Sequence, residues 1–362
     1  MTQDALVTVD TSALEHNART LRAAVGDVEV MVVVKADAYG HGAVASALAF
    51  ERAGVDRLGV ADLDEAVALR RGGVTLPVLA WLHAPGETFE RAAQHDVTPA
   101  VSDLAQLEAA ARAGVRAVHL CVDTGLSRNG AVESEWSALF ARAAELQAEL
   151  PVEGLMSHLA NASPAEDGHQ AAAFARAAGA AREAGLQPRL LHLAASAGAL
   201  VQEGARLDLV RFGLAAYGLS PFADRTAAQL GLRPALTLTA PVTTVKRVPA
   251  GEGVSYGYVF RPERDTTIAV VPLGYADGID RAASDRAEVT IGGRRYRVRG
   301  RIAMNALVVD VGDDPVAVGD EVVLFGDPAR GHVGADEWAA AAGGITYEVV
   351  ACLSPHLPRR HA

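Results

Sequence analysis

From residue 28 onward the chain alternates short β-rich apolar runs with alanine-rich stretches of helical period, the pattern of repeated βα units. The apolar runs predict strands over 28–34, 57–61, 77–80, 98–101, 117–122, 152–157, 190–193 and 207–211. Helical patterns fall between them over 42–53, 62–71, 103–113, 134–150 and 169–184. Several of these open on a capping Asp or Ser and close at Gly54, Gly72, Gly114 or Gly185. Eight such strands over roughly 200 residues fit an α/β fold, an N-terminal (β/α)8 TIM-type barrel. The rival topology is an open doubly wound sheet. It would carry a glycine fingerprint for dinucleotide phosphates near its first strand, and this sequence has none there.

After about residue 230 the texture changes to strand-like runs at 235–248, 266–271, 287–291, 294–299, 306–311 and 321–325. Gly292-Gly293 between two of them is a hairpin signal, and one late helix is expected over 335–342. The expected division is therefore a barrel over 1–230 and a mainly β C-terminal domain over 231–362. Residues 5–10 add a strand to either domain.

Composition narrows the function. A chain of 362 residues exceeds one ordinary core, and 50% apolar with 21% charged residues suits a soluble globular protein. Nothing approaches the ~18 consecutive apolar residues of a membrane span, and the start lacks a secretory pattern. Two cysteines, Cys121 and Cys352, cannot build a disulfide framework or a four-cysteine metal site; they point to a reducing, cytoplasmic setting. The 33 cations against 44 acids leave a formal charge of −11, which disfavours nucleic acid and anionic lipid as partners. No metal-ligand cluster accompanies Asp123 or Asp277, which are expected to bind local backbone or arginine.

Only two of the cations are lysines, Lys35 and Lys246. Where arginine serves for ordinary positive charge, a retained lysine suggests amine chemistry such as a Schiff base. Lys35 ends the apolar run of the first strand, whereas Lys246 stands beside Arg247 in a polar stretch. Barrel active sites gather at the C-terminal ends of the strands. The polar residues there are Lys35, Arg128, His158, Ser196 and Arg211, with Gly213 in the last loop offering backbone N–H groups to a phosphate. A lysine, two arginines, a histidine and a small phosphate pocket suit pyridoxal phosphate.

The segment Val33-Val34-Lys35-Ala36-Asp37-Ala38-Tyr39-Gly40-His41-Gly42 resembles the cofactor attachment motif of bacterial alanine racemases. The resemblance continues through Val122–Gly130, Ser157–Ala162, Arg211–Gly218 and Val254–Gly257. It reappears in Gly274–Gly278, Gly300–Asn305 and Tyr347–Val349, in the family order. It implies that Lys35 carries pyridoxal phosphate, with Tyr39, Ser196, Gly213, Leu214 and Tyr347 around the phosphate. Arg211 is implied to face the ring nitrogen and His158 to lie against the ring. Arg128 is implied to help hold the substrate carboxylate or to tune the catalytic tyrosine, and the N–H of Met304 to meet that carboxylate. Tyr256, Tyr275 and Met304 are implied to come from a partner subunit, making a homodimer with shared sites.

Racemisation removes a proton from one face of the α-carbon and returns one to the other, so two opposed bases suffice; Lys35 and Tyr256 supply the pair. Lysine and tyrosine ordinarily titrate near 10, so burial or a neighbouring cation is expected to lower Lys35. An arginine at the ring nitrogen should leave it unprotonated and disfavour transamination. Three positions depart from the commonest family pattern: Cys121 stands for a carbamylated lysine, Asn305 for an aspartate, and Ala195 for an asparagine. The chain is expected to interconvert L- and D-alanine and to supply D-alanine for peptidoglycan. The alternatives are a broader small-amino-acid racemase, a decarboxylase of the same fold, and a non-catalytic carrier of pyridoxal phosphate. Tyr258 and Tyr296 are expected in strands, and Arg359-Arg360-His361 as a solvated tail. His41 either supports the turn after Lys35 or faces solvent.

Overall fold

The computed structural model describes residues 5–362. Its strands in chain order are β1 (Leu6–Val9), β2 (Glu29–Val33), β3 (Arg57–Val60), β4 (Val78–Ala80), β5 (Val97–Val101), β6 (Val118–Cys121), β7 (Val152–Met156), β8 (Leu190–His192) and β9 (Leu209–Phe212). They continue as β10 (Leu236–Pro241), β11 (Thr244–Val248), β12 (Thr266–Val271), β13 (Glu288–Ile291), β14 (Arg294–Arg297), β15 (Leu307–Gly312), β16 (Glu321–Phe325) and β17 (Arg359–His361).

Strands β2 to β9 form one parallel sheet in the order β8-β7-β6-β5-β4-β3-β2-β9. Its ends meet, because Asp208 N donates to Leu191 O at 3.1 Å and Arg211 N donates to Ala194 O at 3.1 Å. Crossover helices surround this near-closed barrel. Two of them start where the sequence places a cap, with the Asp62 and Asp103 carboxylates accepting from Glu65 N and Gln106 N. The strands are buried on both faces, as central parallel strands must be, and so read as continuous apolar runs. The helix Thr11–Val25 lies outside the sequence expectations. Its buried stripe of Leu14, Ala18, Leu21 and Val25 nevertheless carries the helical spacing.

The mainly β domain holds two sheets, ordered β14-β13-β16-β10-β1-β17 and β11-β12-β15. The run 235–248 is thus divided between sheets at Val242-Thr243. Strand β1 pairs antiparallel with β10, so the opening strand belongs to this domain's sheet.

Two expectations need correction. Arg359-Arg360-His361 is not a solvated tail but β17, paired parallel with β1 through Val7↔Arg359 and Val9↔His361. Such pairing across the whole chain leaves no local pattern to read. Tyr258 is not in a strand: it sits in a single 3-10 turn at φ +47, while Tyr296 does lie in β14 and donates to Asp314 at 2.8 Å.

Candidate active site

A cavity of about 320 Å³ opens at the C-terminal ends of the barrel strands. Lys35, Tyr39, Arg128, His158, Ser196, Arg211, Gly213, Leu214 and Tyr347, nine residues singled out from the sequence, all line it. Several sit at barrel strand ends, Lys35 two residues past β2, His158 two past β7 and Arg211 within β9, whereas Tyr347 comes from the helix Thr346–Ala351 of the C-terminal half. Short apolar strands hold these positions rigidly while leaving the next residue at the rim.

The backbone after Lys35 is unusual. Ala36, Asp37, Ala38 and Tyr39 all have φ of 52 to 54°, a left-handed turn without glycine. Each such residue costs about 1–2 kcal/mol, so the surroundings must hold the turn in place. Ala36 N donates to Glu65 at 2.6 Å, the Asp37 carboxylate accepts from Ala43 N at 2.7 Å, and Arg359 Nε donates to Gly40 O at 2.8 Å. His41 settles inside this brace: fully buried, its Nδ1 meets the carbonyls of Ala38 and Tyr39 at 3.1 and 2.9 Å. Of its two readings, turn support is the one realised.

Positive groups dominate the cavity. Burial, then Arg128, lowers the Lys35 amine from its ordinary value, so the direction expected from sequence holds. Burial, reinforced by Arg211, Arg128 and Lys35, pushes His158 down to about 3, which keeps its ring neutral. Burial brings Arg211 to about 10, still cationic at neutral pH. Its Nη1 donates to His192 Nδ1 at 3.0 Å and His192 O at 3.1 Å. Its Nη2 donates to Ser157 O at 2.7 Å, Leu193 O at 3.0 Å and His158 Nδ1 at 3.1 Å. Among the described residues Nε has no partner, so one donor remains for a ligand's acceptor. The Arg128 guanidinium likewise has no hydrogen-bond partner among the described residues, and it lines the same cavity.

In the same cavity the Tyr39 hydroxyl packs so closely on Gly213 that a Cβ there would overlap it. Ser196 Oγ accepts from Gly213 N at 3.1 Å. Tyr39 itself packs at a 40° tilt on Tyr217, whose hydroxyl donates to Val33 O at 2.8 Å. A small polar group meeting a backbone N–H and two hydroxyls fits this corner. Burial raises the Cys121 thiol to about 11, so it is neutral and gives Arg128 no ionic anchor. Asp123 instead ties its own loop, accepting from Gly125 N and Ser127 N at 2.9 and 3.1 Å; Asp277 accepts from Gly274 N at 2.9 Å.

Tyr256, Tyr275 and Met304 do not line the cavity; they are 70%, 44% and 54% exposed on the β domain. They are nevertheless neighbours through their backbones. Tyr275 N donates to Ala303 O at 3.1 Å, Ala276 N to Met304 O at 2.9 Å, and Ser255 Oγ to Arg301 O at 2.6 Å. Ser255 has φ 60° and ψ −171°, a region nearly reserved for glycine, just before Tyr256.

Sequence reasoning missed Trp81, Asn129 and Asn161 among the lining residues, and His192 behind Arg211. Asn129 Nδ2 donates to Trp81 O at 3.2 Å and its Oδ1 accepts from Ser102 Oγ at 3.0 Å, bracing the Arg128 loop. For His192 a signal existed: strand alternation places it inward, two residues from Leu190.

Known proteins match the chain along nearly its whole length. Residues 9–221 match the family profile "Alanine racemase, N-terminal domain" and residues 235–361 match "Alanine racemase, C-terminal domain". The alanine racemase of Frankia casuarinae is 49% identical, over 98% of this chain and 95% of its own length. That of Salinispora arenicola is 47% identical, over 98% and 97%. The crystal structure of alanine racemase from D-cycloserine producing Streptomyces lavendulae superposes with a TM-score of 0.96 at 42% identity, covering 99% of this chain and 97% of that one. Alanine racemase from Streptomyces coelicolor A3(2) gives 0.95 at 41%, covering 99% and 98%. With a lysine-bearing barrel cavity, a tyrosine-bearing β domain and both family profiles in order, the chain belongs to the alanine racemase family, isomerases that interconvert the enantiomers of alanine.

Proposed function

We propose that the protein is a pyridoxal-phosphate-dependent alanine racemase that works as a homodimer with two opposed bases, Lys35 and Tyr256. The observation that carries this reading is the sorting of donors in the barrel cavity. A buried arginine has committed both Nη groups to the protein and left Nε without a protein partner, in the same cavity as a corner built from Tyr39, Ser196 and Gly213. That pairing of donor sets suits a ligand carrying both a ring nitrogen and a phosphate. When bound, pyridoxal phosphate supplies electron withdrawal that acidifies the substrate's α-carbon.

Every remaining task falls to the chain. Tyr39, Ser196, Gly213, Leu214 and Tyr347 would hold the phosphate, and His158, kept neutral by burial and then by its cationic neighbours, would sit beside the ring without adding charge. Lys35, with its proton affinity lowered by burial, takes or returns the α-proton on one face. The free fork of Arg128 receives the substrate carboxylate, a match in shape as well as charge. On the other face a phenol is needed. The exposed Tyr256 of one protomer reaches the partner's cavity in this reading, with Met304 N–H on the carboxylate and Tyr275 at the entrance. Supply of D-alanine for peptidoglycan follows from the reaction.

Mixing subunits tests the arrangement. Lys35→Ala and Tyr256→Phe proteins are each expected to be inactive alone. After unfolding and refolding together, one site in each hybrid dimer is complete. Activity should return to about a quarter of wild type, the statistical share for a two-fold dimer. No recovery in confirmed hybrids would overturn the shared site.

A further inference from the structure

Barrel interiors are ordinarily filled by layers of branched apolar side chains. This one is crossed by a polar column that leads from Arg211 to the opposite mouth. Behind the Arg211–His192 contact, His192 Nε2 lies 2.8 Å from His119 Nδ1, and His119 Nε2 lies 3.4 Å from Glu153 Oε2. Glu153 Oε1 accepts from Arg57 Nη2 at 2.6 Å, and Arg57 Nε donates to Glu29 at 2.8 Å. Arg189 closes the cluster, donating to Glu29 at 2.5 Å and to Glu153 at 3.1 Å. Both histidines are fully buried, whereas Glu29, Glu153 and Arg189 reach solvent at the N-terminal ends of the strands.

Elementary donor and acceptor rules fix every proton in this column. Arginine only donates, so His192 Nδ1 accepts and its proton sits on Nε2. His119 Nδ1 must then accept from His192, which puts its own proton on Nε2 toward the carboxylate. Burial lowers the proton affinity of both rings, in keeping with neutral imidazoles. Glu153 is held ionised by its bond with His119 and then by Arg57. The result is a one-way chain with a carboxylate at one end and a guanidinium at the other. Gly154 makes room for it, since a Cβ there would overlap the His119 ring.

We propose that Glu153, at the far mouth of the barrel, is a positioning residue for Arg211. It acts through the fixed tautomers of His119 and His192, which hold Nη1 of the guanidinium while Ser157, Leu193 and His158 hold Nη2, leaving Nε as the donor without a protein partner. The inference rests on the proposed place of the cofactor's ring nitrogen. A negative end also makes Arg211 a weaker acid, which discourages transfer of its proton to that nitrogen. Losing the charge of Glu153 should therefore favour return of the α-proton to the cofactor. Water then supplies the keto oxygen of pyruvate, and the amino group of alanine stays behind on the cofactor as pyridoxamine phosphate, once per loaded site.

The test uses holoenzyme with 15N-labelled histidine, comparing wild type with Glu153→Gln and His119→Asn. In wild type both His119 and His192 should carry the proton on Nε2 only. Glu153→Gln keeps the shape and removes the charge. His119→Asn retains an acceptor for His192 but cuts the link to Glu153. Either variant should raise pyruvate formed per racemisation by between about twofold and about thirtyfold, the range couplings through a network ordinarily span. The cofactor's visible absorption should shift as well. A proton on His192 Nδ1 in wild type overturns the proposal. So does a variant that lowers only the melting temperature while product ratio and absorption stay put, the outcome for a simple structural plug. Should one variant fail to fold, the other and the wild-type tautomers still decide. A wild-type protein with no cofactor absorption would instead refute the cofactor reading, and the tautomer measurement remains valid without it.

Discussion

The barrel half and the β half of this chain present their chemistry in opposite ways. Around Lys35 the groups converge, are largely enclosed, and are tied down by many hydrogen bonds. Around Tyr256 they stand open to solvent on a loop whose backbone is strained at Ser255. Enclosure lets the barrel cavity tune protonation through desolvation. In the proposed reading Tyr256 stands outside those walls and acts only where another surface covers it. The barrel carries most of the cavity wall, the β half adds Tyr347 to it, and the Tyr256 loop is left uncovered within one chain.

The largest expected effect separates retention from turnover. Tyr256→Phe should lower kcat in both directions by about 10²–10⁴ while cofactor absorption and melting temperature stay near wild type. Lys35→Ala should lose comparable activity and the cofactor's attachment together, read by absorption after gel filtration. If Tyr256→Phe also releases the cofactor, the contrast between the halves fails. Gly213→Ala sharpens the contrast at the phosphate corner. Its added Cβ overlaps the Tyr39 hydroxyl, so cofactor affinity should weaken by about tenfold or more in equilibrium dialysis, a cost of one lost hydrogen bond. Unchanged affinity would move the phosphate elsewhere.

The smallest effect is in pH. Folded His158 takes its proton only near about 3, against 6.5 ordinarily, so the unfolded chain binds more protons between those values. Stability from this site is complete above about 6.5 and is lost as pH falls through the window toward 3. His158→Asn, which keeps an acceptor for Arg211, should flatten the melting temperature profile between pH 6.5 and 4. An unaltered profile would mean that the ring is not the titrating group.

Much of this was legible because short parallel strands buried on both faces write themselves as apolar runs. All eight barrel strands lie within about two residues of the expected ranges, and polar residues directly after them became the cavity wall. The scarcity of lysine isolated Lys35 for the same reason: surface charge is interchangeable, amine chemistry is not. What resisted reading was nonlocal. The pairing of β17 with β1, the inward turn of His41 and the bracing of Arg128's loop by Asn129 all depend on partners distant in sequence. Tyr258 misled because its β-forming neighbours gave no hint of a φ that favours glycine. His192 and His119 were visible as inward strand positions, but a histidine inside a barrel reads as filler until its partners are known.

The brace around the left-handed turn ties the segment after Lys35 to the final strand, β17. Arg359 and His361 reach back to the carbonyls of Gly40 and His41, at 2.8 Å each. The bonds from Ala36 N to Glu65 and from Ala43 N to Asp37 stay within the first βα units, whereas those from Arg359 and His361 span more than three hundred residues. Damage to the final strand is therefore felt at the wall of the cavity that holds Lys35, far away in sequence.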